Sequence, residues 1–104
     1  METSNGHHLT KQEILATLSI HKSDLLQKFP ISKIGLFGSY ARGDNGAQSD
    51  IDILVELREP MGWDFIDIVE YLEQLFPHKK IDLVSRGGIR SRLWSFIEKD
   101  LSYV

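Results

Sequence analysis

From Asp50 to Leu57 the chain alternates: Ile51, Ile53, Val55 and Leu57 fall on one side, Asp50, Asp52, Leu54 and Glu56 on the other. A period of two marks a β-strand, whose successive side chains point to opposite faces. One face of this strand has to be buried, and the other carries two aspartates two residues apart. Neighbouring like charges on one face repel. Either the face is the solvated side of an edge strand, or a divalent cation with a preference for hard oxygen ligands offsets the repulsion.

The rest of the chain supplies partners for such a strand. Thr10-Lys11-Gln12-Glu13 has the form of a capping box and predicts a helix start. Ile14, Leu18, Leu25 and Phe29, with Leu15 and Leu26, give its apolar stripe, with a bend or weak turn expected at Ser19–Ser23, and Pro30 closes it. Lys33–Phe37 reads as a strand, followed by a tight exit and about one helical turn at Gly38-Ser39-Tyr40-Ala41-Arg42-Gly43. Asn45-Gly46 marks a turn. Trp63–Phe76 forms an amphipathic helix, Lys80–Ser85 a further strand, and Ile89, Leu93, Trp94, Phe96 and Ile97 a last helix to about Asp100. Trp63 and Trp94 are expected in the core. The order α-β-α-β-α-β-α predicts an α+β fold, a three-stranded sheet covered by helices.

Composition narrows the function classes. The 104 residues suit one domain, expected to span 1–104 with a flexible lead-in over 1–9. With no cysteine, a disulfide framework, a thiol nucleophile and a cysteine-based zinc site are excluded. A net charge of -3 argues against a dedicated duplex-binding protein, which needs a basic stripe. No apolar run approaches the about 20 residues of a membrane span, and Met1–Leu9 lacks the apolar stretch of a signal peptide. A cytoplasmic chain is expected.

Two further features stand near the paired aspartates. Gly38-Ser39 follows a strand and opens a helical turn, where unpaired amides and the helix dipole favour an anion and glycine lets a phosphate approach the backbone. The same residues also suit a plain strand connection. Asp82 sits between Ile81 and Leu83 in the third predicted strand, where an aspartate would be desolvated unless it faces a site or a partner such as Lys80. If these two strands are neighbours, three carboxylates gather on one face.

Together the residues resemble a known signature. Gly38-Ser39, then Asp50-Ile51-Asp52, is similar to the motif of the polymerase-β-like nucleotidyltransferase superfamily. The string from Gly38 to Gly43 and on through Ser49-Asp50-Ile51-Asp52-Ile53-Leu54-Val55 looks like its minimal nucleotidyltransferase (MntA-like) branch. The likeness continues through Lys80-Ile81-Asp82-Leu83-Val84 and Ile97–Val104, covering about residues 31–104.

The resemblance implies a small mixed sheet and transfer of a nucleoside monophosphate from magnesium-bound ATP to an acceptor hydroxyl. Asp50, Asp52 and Asp82 then match the catalytic, metal-binding carboxylates of a two-metal site. Gly38 and Ser39 match the triphosphate-binding positions. Arg42 matches a position often basic in this branch, where a phosphate contact or a pair with Asp44 or Asp50 would each fit. The branch is similar to antitoxins that add AMP to a tyrosine of a HEPN-domain ribonuclease toxin, so ATP and a HEPN-family partner are expected. The alternatives are a module that neutralises its partner by contact alone, and an enzyme that modifies a small molecule or RNA end with a partner's help. Sheet edges that could pair with another copy or a partner leave the oligomeric state open. Arg86, Arg90 and Arg92, clustered after the third strand, could guide ATP or an acidic partner, or simply be a solvated face.

Overall fold

The structure is a computed structural model and describes residues 9–104. The expected flexible lead-in therefore lies, apart from Leu9, outside the described residues. The elements are α1 (Lys11–Lys28), β1 (Ile31–Phe37), α2 (Gly38–Arg42), β2 (Ile51–Leu57), α3 (Phe65–Leu75), β3 (Ile81–Ser85), a 3-10 turn (Arg86–Gly88), α4 (Ser91–Asp100) and β4 (Ser102–Tyr103).

The start of α1 is the capping box that the sequence spells. The Thr10 hydroxyl accepts from the Glu13 amide at 3.2 Å, and the Glu13 carboxylate accepts from the Thr10 amide at 2.9 Å. Two of the amides left without helical partners are thereby satisfied. The bend expected at Ser19–Ser23 is absent, and α1 runs unbroken through 18 residues. Ser19 and Ser23 are exposed, so the helix continues across them while Leu18 and Leu25 hold its inner face. Phe29 is extended, as a residue before proline should be.

The sheet has four strands, not three, in the order β3-β2-β1-β4. β1 pairs antiparallel with β2 and with β4, while β2 pairs parallel with β3. The added strand is the tail: Gly35 pairs with Tyr103 and Leu36 with Ser102. A two-residue strand has too little length to show a period in sequence.

The two faces of the sheet have different jobs. Ile34, Leu36, Ile51, Ile53 and Val55 point to the side where Ile14, Leu18 and Leu25 of α1 and Ile68 and Leu72 of α3 close the core. On the opposite face, register sets Phe37 beside Asp52, Gly35 beside Leu54 and Asp52 beside Asp82. That face is partly covered too. Leu54 is fully buried, and a side chain on residue 35 would run into Leu101, directly after α4. α4 itself packs on β1 and α2.

Trp63 departs from expectation. It is 96% exposed rather than in the core, because α3 begins at Phe65 and leaves Trp63 in the preceding turn. Trp94 is half-buried, with the Arg86 guanidinium 3.9 Å above its ring.

Candidate active site

Asp52 and Asp82 stand opposite each other on adjacent parallel strands, on the sheet face away from the core. β2 lies between β1 and β3, so Asp52 does not belong to an edge strand. Asp50 sits just before β2, at intermediate exposure. The desolvation anticipated for Asp82 falls on Asp52 instead: Asp82 is exposed on the outermost strand, while Asp52 is half-buried one strand in. Burial, then the Asp82 charge and a hydrogen bond with Asp82, then the Asp50 charge raise the Asp52 pKa from 3.8 to about 6, with Arg42 pulling weakly the other way. Asp52 thus feels both its burial and the charges of Asp82 and Asp50.

Gly38 makes this arrangement possible. It has φ +77, in the left-handed region that favours glycine, and any Cβ there would overlap the Asp52 carboxylate. The strand exit thus brings bare backbone against the acid. Ser39 follows in the first turn of α2, and its carbonyl accepts from the Gly43 and Asp44 amides at 2.9 and 3.1 Å. The turn closes at Gly43, with φ +84. The first amides of a helix have no intrahelical partner, so the Gly38–Ser39 end of α2 is a surface of donors beside a surface of carboxylates.

Arg42, at the other end of α2, is tied down. Its Nε donates to Asp44 at 3.0 Å and its Nη1 to Asp100 at 2.8 Å, and these two carboxylates raise its pKa. The pair with Asp44 is one of those expected from sequence. The second partner is Asp100 at the end of α4 rather than Asp50, and nothing in the sequence pattern links positions 42 and 100.

The donor set fits a hard divalent cation. Asp52, whose pKa is raised first by burial and then by the charges of Asp82 and Asp50, is relieved by positive charge. Among the described residues no three acidic or imidazole groups stand ready to chelate a single ion. Magnesium, however, commonly uses only one or two carboxylates and completes its shell with water and phosphate oxygens. The Asp52–Asp82 pair supplies that minimum. A wide cleft lies elsewhere, between Leu9, Thr17, Tyr40, Phe76 and Lys79, and of the candidate residues it touches only Arg42. Chemistry rather than cavity size locates the site, which is an open face of the sheet.

The chain matches the nucleotidyltransferase domain family over residues 18–104. It is 39% identical over 97 residues to the protein adenylyltransferase MntA of Thermococcus cleftensis, spanning 92% of this chain and 97% of that protein. Among solved structures, a minimal nucleotidyltransferase superposes with TM-score 0.75 at 26% identity, covering 93% of this chain and 98% of that one. The MNT antitoxin in complex with the tri-AMPylated HEPN toxin of Shewanella oneidensis superposes with TM-score 0.64 at 19% identity, covering 90% of this chain and 71% of the matched chain. That last likeness is one of fold.

Proposed function

This chain belongs to the nucleotidyltransferase domain family, in its minimal MntA-like branch, and from that premise we propose that it moves AMP from magnesium-bound ATP to a tyrosine hydroxyl of a HEPN-type toxin, silencing it as the antitoxin of the pair. The observation that carries the reading is the placement of Asp52 and Asp82 in register on one open face, with the Gly38 backbone pressed against Asp52. The MntA relative is named for protein adenylylation, and the structural neighbour from Shewanella sits on a toxin that bears AMP. Both support a protein acceptor.

In this reading the residues divide the work. Gly38 and Ser39 hold the triphosphate through backbone amides and the Ser39 hydroxyl, which glycine allows to approach closely. Asp52 and Asp82, with Asp50 just before β2, would hold magnesium. When bound there, the ion neutralises phosphate charge and lowers the pKa of the attacking hydroxyl. Asp82 would orient the acceptor hydroxyl and take its proton, a role its exposure on the outermost strand supports. The acceptor oxygen bonds to the α-phosphorus, the bond to the β-phosphate bridging oxygen breaks, and pyrophosphate leaves. Little covalent work falls to the protein, and positioning and electrostatics carry the reaction. Arg42 acts by fixing α2 against α4, and so fixes the triphosphate-binding turn.

The test is direct. The chain is incubated with magnesium, ATP and a purified HEPN-domain toxin of the same organism, and the toxin is mapped by mass spectrometry. A tyrosine carrying AMP is expected. An unmodified toxin after complete incubation refutes the reading.

A further inference from the structure

α4 is the one long helix of the fold with no buried residue among the described residues. Leu93 is 54% exposed and Phe96 66% exposed, and their i,i+3 spacing puts them on one face. Exposed large apolar side chains grouped on a helix mark an interaction surface more often than isolated ones do. Around them stand exposed cations. Arg90 and Arg92 form no ion pair among the described residues, and Lys99 lies 5.4 Å from the Phe96 ring centre. This basic rim occurs on a chain whose net charge is -3.

The helix is joined to the catalytic face at both ends. Arg86, at the exit of the strand that carries Asp82, stacks on Trp94 at 3.9 Å. At the far end Asp100 holds Arg42 at 2.8 Å, and Leu101 covers Gly35 on the face shared with Asp52. A body resting on α4 is therefore adjacent to the carboxylates and anchored to the same rigid elements.

We infer that the Leu93–Phe96 face of α4, with Arg90 and Arg92 at its rim, is where the acceptor protein docks, through an apolar segment flanked by carboxylates. The inference rests on the proposed protein acceptor and adds the surface that presents it. A second copy of this chain fits less well. An antiparallel two-fold contact centred between Leu93 and Phe96 would set Arg90 against Lys99 of the other copy, and facing like charges oppose association. A carboxylate-flanked apolar segment instead fills the apolar stripe and neutralises the rim.

The experiment measures binding separately from catalysis. A HEPN-domain toxin of the same organism is titrated by calorimetry into the Asp50→Asn/Asp52→Asn chain, which leaves the toxin unmodified. In that background Leu93→Ser/Phe96→Ser should weaken binding about tenfold or more, as loss of two anchor side chains does. Arg90→Glu/Arg92→Glu should weaken it and reduce its salt dependence. All four side chains are exposed, so melting temperatures should match the parent. In the active chain the Leu93→Ser/Phe96→Ser variant should raise the acceptor KM and leave the KM for ATP unchanged. Unaltered affinity in both variants overturns the docking surface. Loss confined to binding of phosphatidylserine vesicles, with toxin binding intact, also overturns it. If the variants lose binding but the unaltered chain transfers no AMP, the docking surface stands and the proposed reaction falls. If the parent chain does not bind the toxin, both fall.

Discussion

Gly38 and Asp52 approach so closely that a methyl group on residue 38 would lie inside the Asp52 carboxylate. The contact binds two sequence motifs, a glycine-serine turn and an aspartate pair, into one piece of geometry. It also separates two reasons for glycine. Gly38 and Gly43 both have positive φ, but a Cβ on residue 43 would meet nothing within 4 Å.

Gly38→Ala should therefore cost both stability and activity. The positive φ alone destabilises by about 1 kcal/mol, and displacement of Asp52 should lower AMP transfer about 100-fold. Gly43→Ala should cost about 1 kcal/mol and keep most of the activity. Thermal melts and transfer assays on the two variants check the contrast.

Asp52→Asn should stabilise the ligand-free chain while abolishing transfer. Folding raises the Asp52 pKa from 3.8 to about 6. Between those values the folded chain holds a proton that the unfolded chain has released, so stability falls as pH rises through that window and remains lower above it. Asparagine has no such charge. Above pH of about 6 the variant should gain on the order of 1 kcal/mol after solvent screening, or about 4–8 °C in Tm. Well below the window the gain should vanish. Melting curves across pH read it.

Magnesium should show the opposite pH trend. A cation at Asp52 competes with its proton, so the Tm gain from added magnesium should be small well below a pH of about 6 and larger above it. The gain should be lost in Asp52→Asn. A magnesium effect independent of both pH and Asp52 would place the ion elsewhere.

Arg42 and Asp100 should behave as one unit. Arg42→Ala and Asp100→Asn each break the 2.8 Å link between α2 and α4, and each should lower Tm slightly. The double variant should cost little more than either single one, since the interaction can be lost only once. Additive losses in a double-mutant cycle would mean that the two residues act independently.

Much of this site is legible from sequence because its parts are local. Thr10 and Glu13 cap α1 within one turn, and the alternation through Ile51, Ile53 and Val55 fixes which way Asp52 faces. Asp82 could be placed beside Asp52 only on condition that their strands were neighbours, and they are. The misses lie where distant parts of the chain decide. The Ser102–Tyr103 strand is too short for a period and is set by pairing to Gly35 and Leu36. Trp63 reads as core by residue type, but it falls two residues before α3. Which aspartate is desolvated depends on strand order, which puts Asp82 at the edge and Asp52 inside. The Arg42–Asp100 pair, 58 positions apart, leaves no local pattern.

The central claim is that the carboxylates on this face silence the partner by chemistry, not by contact. It is tested most directly by measuring the toxin's ribonuclease activity after incubation with magnesium, ATP and either the unaltered chain or Asp50→Asn/Asp52→Asn. The account predicts that the unaltered chain abolishes the activity and leaves AMP on the toxin, and that the double variant does neither. Full neutralisation by the double variant, with no AMP on the toxin, would contradict it.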